Sequence, residues 1–178
     1  AQDKHIDLWL AETIASIDEA RIITKVLNRT TKPCYYAFTL SDELGQSATL
    51  RSGESVTKAI ESIIQENIAG ILFNCSIPEV VEQAIRDTNS LLTKHKKQID
   101  IGAFANSFTP ILADHQANKS VQDYRDVSPE KYLEFAIKWH SLGANIIGGC
   151  CGIGPSHIKA LAQWKNTLED AHSKSLRL

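Results

Sequence analysis

Two cysteines, Cys150 and Cys151, stand side by side in the stretch GANIIGGCCGIGPSHI at 143–158. A disulfide between chain neighbours strains the intervening peptide and departs from ordinary disulfide geometry, so these thiols point to another use. Cys75 ends a separate apolar run, AGILFNCS at 69–76. If the three sulfurs face one centre, they form three thiolates with one position open, the pattern of a catalytic rather than a closed structural zinc site. An ion held there would keep an incoming thiol deprotonated at neutral pH, where a free thiol is mostly protonated. The chemistry such a set suggests is activation of a substrate sulfur. From spacing alone Cys75 reads equally well as a core residue, cysteine being among the most buried residue types. Gly148, Gly149 and Gly152 leave room for an ion or ligand near the backbone, and they serve a tight strand-to-helix turn just as well. Cys34 begins an apolar run instead of ending one, which puts it at the opposite rim in a structural role.

Other residues compete for the same rim. Glu12, in LAETI at 10–14, follows an apolar run and precedes a helix start. That places its carboxylate to face a pocket, where it would bind an ammonium group or act as a base; composition alone makes it a solvated loop glutamate. Asn74 and Asn106 close the runs ILFN and GAFAN. The stretch GIGPSHI at 152–158 resembles a phosphate-cradling turn before a helix,. It has neither the P-loop lysine nor the G-x-G-x-x-G order, so nucleotide binding is not expected. His157 reads as a packing or surface residue, and the other histidines show no H-x-x-H or H-E-x-x-H spacing.

The elements that must position these residues follow from the alternation of apolar runs and helical periodicity. Strands are predicted at 5–13, 34–40, 69–76, 100–107 and 144–151. The first helix, 16–27, opens on a capping box of Ser16 and Glu19 and gathers Ala20, Ile23 and Leu27 on one face,. A second begins in GESVTKAIESIIQ with Val56, Ile60, Ile63 and Ile64 in helical spacing, and Pro78 pre-sets the first turn of a third over 78–95,. After an irregular stretch at 108–127, Ser128 as N-cap and Pro129 at the first helical position open a fourth,. It aligns Tyr132, Phe135, Ala136 and Trp139 and closes at Gly143,. A fifth starts at GPSHIKALAQWKNTL, and the polar tail EDAHSKSLRL is expected to fray. Five strands alternating with five helices imply right-handed crossovers and a parallel sheet. Ligands of such sheets bind at the carboxyl ends of the strands, where Glu12, Asn74, Cys75, Asn106, Cys150 and Cys151 fall.

Two architectures accommodate five βα units: an open doubly wound sheet, or the later part of an eight-stranded barrel. The chain has 178 residues and no methionine, and it begins in mid-pattern. That reads as a portion of a longer polypeptide and favours the barrel, which three more units would complete at about 250 residues.

Composition excludes several classes. A net charge of -2 with 43% apolar and 22% charged residues describes an ordinary globular chain with one sizeable core,. No basic stripe interleaved with aromatics marks a nucleic-acid partner. No apolar run approaches the roughly 20 residues of a membrane span, and the start lacks the regions of a signal peptide. Four cysteines are too few for a disulfide scaffold of this length, so the expected compartment is the cytoplasm,.

The stretches LAETIASIDEA, FNCSIPE, GAFANSF and above all GANIIGGCCGIGPSHIKAL resemble the homocysteine S-methyltransferases, zinc-dependent barrel enzymes. The family includes betaine-dependent and S-methylmethionine-dependent members and the homocysteine module of cobalamin-dependent methionine synthase. The resemblance covers essentially the whole chain. It implies an α/β fold, the (β/α)8 TIM barrel, with this chain holding the last five βα units, strands 4–8. Residues 1–178 would then be the C-terminal part of a single homocysteine-binding domain. It implies that Cys75, Cys150 and Cys151 hold Zn2+ with the homocysteine thiolate as fourth ligand. Glu12 would hold the amino group of homocysteine, and Asn74 and Asn106 would lie on the substrate rim. The implied reaction is attack of the homocysteine thiolate on an activated methyl group, giving methionine. S-methylmethionine is the favoured donor, because the chain carries no cobalamin or folate module. The first three units of the family barrel are absent, which implies a whole chain of about 300 residues. The competing expectation is a catalytically incomplete zinc-binding or redox-sensing thiol domain.

Overall fold

A computed structural model describes residues 4–64, 67–111 and 122–175, with side chains through 169. Ten elements alternate strictly: β1 (Trp9–Ile14), α1 (Ile17–Leu27), β2 (Cys34–Phe38), α2 (Val56–Glu61), β3 (Gly70–Asn74), α3 (Pro78–His95), β4 (Asp100–Phe104), α4 (Pro129–Ser141), β5 (Ile146–Ile147) and α5 (Pro155–Ser175). All four strand pairings are parallel and the order is β1-β2-β3-β4-β5. Because no strand order is reversed, every crossover steps the same way. Right-handed crossovers then put all the helices on one face of the sheet, and each helix packs on the next. A doubly wound sheet has a switch point where the order reverses. This sheet has none, and it is compatible with part of a TIM-barrel-like fold.

Local signals act as expected at most ends. Ser16 accepts from Glu19 N–H and Ser128 from Lys131 N–H, both at 3.2 Å. Glu19 answers by accepting from Ala15 N–H at 2.6 Å, one residue short of the capping-box partner at Ser16. Gly143, at φ 103°, follows the last turn of α4 in the left-handed conformation that glycine adopts most readily,. The predicted strands are longer than the observed ones. The first begins at Trp9 instead of residue 5, and the last is regular only over Ile146–Ile147. Glycines break the pleat after Ile147, yet pairing with β4 continues through Gly148 N–H to Ala103 O and Cys150 N–H to Ala105 O. The irregular stretch predicted at 108–127 lies partly outside the described residues, which resume at residue 122.

Alternation divides the sheet. Tyr36, Ile71 and Ile101 lie in register, as do Phe38, Phe73 and Ala103. They are buried with Val56, Ile60, Val81, Ile85, Tyr132 and Trp139 in the core beneath the helices. The opposite face carries Leu10, Tyr35, Gly70 and Asp100 in one row and ends, on β3, at Asn74. Among the described residues no helix is long and apolar enough to cross a membrane.

Candidate metal centre

Cys75 is the first residue beyond β3, and its φ of 53° is in the left-handed region. A non-glycine residue pays a steric penalty there, so its surroundings must hold it. Ser76 beside it is fully buried. Its hydroxyl accepts from Leu40 N–H at 2.7 Å and donates to Asn74 O at 3.0 Å. Pro78 then begins α3 at once. The turn leaves the Cys75 side chain partly exposed at the carboxyl rim. Cys34, at the start of β2, is buried and donates its thiol to Lys32 O at 3.3 Å, the structural role expected of it.

Cys150 and Cys151 arrive from the other end of the sheet. Cys150 N–H donates to Ala105 O, and Cys151 O accepts from Ser107 N–H, both at 2.9 Å. Gly152 turns the chain at φ 78°. Tyr132 of α4, wholly buried, holds the two strand ends together. Its hydroxyl donates to Gly148 O at 2.8 Å and accepts from Ala105 N–H at 3.1 Å. Burial pushes the phenol far above its ordinary range, so it stays protonated as a donor,. Tyr132→Phe is expected to leave both backbone groups unpaired and to lower stability by about 1–3 kcal/mol, read from the urea midpoint.

The three sulfurs lie within 4.8 Å of one another, with Cys150 and Cys151 3.8 Å apart. Sulfurs bound at about 2.3 Å around a tetrahedral zinc are about 3.8 Å from each other, so the donor set fits that ion in both softness and spacing. Without metal the thiols share protons unequally. A hydrogen bond from the Cys150 thiol holds Cys75 below its ordinary value against the effect of burial. The same bond, then burial, pushes Cys150 strongly up, and burial followed by Cys150 raises Cys151. A metal must displace the protons that Cys150 and Cys151 hold more tightly than usual. Zinc affinity is therefore expected to rise with pH through neutrality and above, measured by chelator competition at successive pH values.

The remaining sequence candidates sit around this cluster to different degrees. Asn74 immediately precedes Cys75 and is 1% exposed, and its Nδ2 donates to Thr13 Oγ1 at 2.8 Å. Its Oδ1 is buried with no hydrogen-bond partner among the described residues. Asn106 is wholly buried, with its N–H on Ser76 O at 3.0 Å and its Oδ1 accepting from Phe108 N–H at 3.2 Å. That second bond fixes the amide orientation and turns Nδ2 toward Cys75. There Nδ2 helps lower the thiol's pKa, though among the described residues it has no partner within ordinary hydrogen-bond geometry. Buried polar groups are nearly always paired, so two amide atoms at one rim without partners among the described residues are unusual,. Glu12 is exposed near the end of β1, where the pairing with β2 shifts register between Ala11 and Ile14. Thr13 is left-handed at φ 62°, a rare state for a β-branched residue,. Such an irregularity re-aims side chains at strand ends, and the Thr13–Asn74 bond ties it to the cysteine rim. His157 packs, as expected. Its ring accepts from Gly154 N–H at 3.1 Å, pairs with Val127 O at 2.7 Å and meets Tyr132 edge-on.

Tyr132, Thr13 and Ser76 escaped the sequence reading as site residues. Tyr132 showed only helical spacing, and nothing in the spacing around the other two announces the left-handed residues Thr13 and Cys75.

Three thiols converging at the carboxyl rim of an all-parallel βα sheet define an α/β protein with a strand-end sulfur centre. The chain belongs to the homocysteine S-methyltransferase family, whose profile matches residues 1–164. It is 33% identical over 162 residues to homocysteine S-methyltransferase 1 of Brassica oleracea var. italica, covering 88% of this chain and 45% of the relative. It is 26% identical over 174 residues to betaine–homocysteine S-methyltransferase 1 of Danio rerio, covering 90% and 40% respectively. The chain thus spans about half the length, or less, of these curated relatives. A structure of a protein assigned as a phosphonomutase, from Burkholderia cenocepacia J2315, aligns with TM-score 0.51 at 13% identity, over 85% of this chain and 72% of that one. That likeness concerns the fold alone.

Proposed function

We propose that Cys75, Cys150 and Cys151 form a zinc centre at which homocysteine receives a methyl group from a small donor, S-methylmethionine being favoured. The observation that carries this reading is the convergence of three sulfurs, from strands two places apart in the sheet, at the spacing of a tetrahedral thiolate site. When bound, zinc would act as a Lewis acid that keeps a substrate thiol in its nucleophilic form near neutral pH. The protein's own residues would bind and orient the substrate. Glu12, near the end of β1, would take the ammonium of homocysteine, and the dangling Asn74 Oδ1 supports a donor-rich group beside it. Asn106 Nδ2 would offer a hydrogen bond to an anionic group next to Cys75. In the reaction the substrate sulfur forms a bond to the methyl carbon as the donor's own sulfur–carbon bond breaks. The donor leaves as neutral methionine and the thiol proton passes to solvent. Holding the two sulfurs and the carbon in line is the positional part of catalysis.

The five βα units would be strands 4–8 of a (β/α)8 barrel, residues 1–178 forming the C-terminal part of one homocysteine-binding domain. Consecutive parallel strand order and the share of the relatives covered support that assignment. Four free cysteines suit a reducing cytoplasm,. The test is methionine formation from homocysteine with S-methylmethionine, betaine and methyltetrahydrofolate supplied in parallel. Zinc-dependent turnover with the first supports the full reading. Turnover with another donor replaces the donor assignment. Stoichiometric zinc without homocysteine binding would leave a thiol domain that stores metal or senses oxidants.

A further inference from the structure

The polar loop after β2 contains a buried acid. The Asp42 side chain is 1% exposed, and a carboxylate so placed must have its lone pairs matched. Oδ1 accepts from Ile77 N–H at 3.0 Å, and Oδ2 accepts from Ile111 N–H at 2.8 Å and from Arg51 Nη1 at 3.1 Å. The other amino group of that guanidinium, Nη2, reaches the carbonyl oxygen of Cys75 at 3.4 Å, and Thr39 Oγ1 lies at the same distance from it. The pair therefore grips the chain on both sides of one short turn. It holds the Cys75 carbonyl through Arg51 and the Ile77 amide directly. Both grips fall just after the α-carbon of Cys75, on either side of Ser76, and so fix the turn that follows the left-handed residue (φ 53°) whose sulfur meets Cys150 and Cys151.

We propose that Asp42 and Arg51 are positioning residues for the metal centre, clamping the Cys75 turn so that its sulfur stands ready for the ion. The inference rests on the zinc reading above and requires no contact with substrate. A planar fork is what the geometry uses, since one Arg51 nitrogen is on the carboxylate while the other is on the carbonyl. A lysine ammonium is a point donor on a flexible stem and cannot reproduce that fork. Outer-sphere partners that orient metal ligands typically change metal affinity by about 10- to 100-fold when removed.

The experiment measures zinc affinity by chelator competition, the cobalt(II) absorption spectrum, and the thermal midpoint of the metal-free protein. It compares wild type, Arg51→Lys, and the double substitution Asp42→Asn with Arg51→Met, which removes the buried charge along with its partner. Both variants are expected to bind zinc about 10- to 100-fold more weakly. Their cobalt bands should shift; the metal-free midpoint should stay within a few degrees of wild type for Arg51→Lys and within about ten degrees for the double variant, where an asparagine amide can accept from only one of the Ile77 and Ile111 N–H groups,. Wild-type affinity and spectrum in the double variant would overturn the proposal. So would full recovery by Arg51→Lys, or a loss of metal-free stability large enough to account for the whole loss of affinity. If wild type itself fails to bind one zinc through its thiols, the zinc reading falls first, and the two failures are told apart.

Discussion

Cys75→Ser is expected to weaken zinc binding on the order of 10²- to 10⁴-fold while the metal-free protein unfolds near its wild-type midpoint. The substitution is nearly isosteric, and the side chain is partly exposed at a strand end rather than packed in the core. The hydrogen bonds that fix the turn run through the Cys75 carbonyl and Ser76, neither of which changes. Thiolate sites bind zinc with about 10–16 kcal/mol at neutral pH, so losing one of three thiolates removes roughly 3–5 kcal/mol. A buried structural cysteine would show the opposite pattern, with stability lost and metal affinity unmoved. The prediction thus decides between the two readings that sequence spacing left open for Cys75, by chelator competition and thermal melting on the same samples.

Gly152→Ala is expected to be the most damaging single change at the rim for stability. At φ 78° an L side chain is strained in any surroundings, and here the surroundings are full. A Cβ at this position would run into Ser107 Oγ and approach the Tyr124 ring to 2.9 Å. Backbone strain of about 1–2 kcal/mol and overpacking of about 1–3 kcal/mol act together, giving a loss of roughly 2–5 kcal/mol. Relief requires Ser107 or Cys151 to move, and the two are joined by the Ser107 N–H to Cys151 O bond. Zinc affinity should therefore fall along with the urea midpoint. Gly53→Ala is the control. Gly53 has a similar φ of 86° but nothing within 4 Å of the added carbon, so only the backbone share, about 1–2 kcal/mol, is expected,.

Much of the positioning framework was legible because it rests on local rules. Ser16, Ser128, Pro129 and Gly143 stand at helix ends where capping physics requires them. The strands alternate as buried pleats should, and the position of Cys75, Cys150 and Cys151 at strand ends brought them to one rim. What escaped prediction depends on long-range pairing. Asp42, Arg51 and Tyr132 are separated from the groups they hold by 9 to 69 positions along the chain, and no periodicity links such partners. The left-handed turns at Thr13 and Cys75 are invisible for a related reason, since nothing local favours a non-glycine residue there. The length of the last strand was overestimated because Gly148 and Gly149 end the regular pleat while hydrogen bonding to β4 continues. Periodicity left the barrel and the doubly wound sheet equally open; the strand order has no switch point and is compatible with part of a TIM-barrel-like fold.

The most direct test of the central claim is X-ray absorption at the zinc edge on the metal-loaded protein, before and after addition of homocysteine. A three-thiolate zinc site gives three sulfur scatterers at about 2.3 Å with one lighter neighbour, becoming four sulfurs when homocysteine is added. Fewer than three sulfurs at the outset, or a shell that homocysteine leaves unchanged, would contradict it.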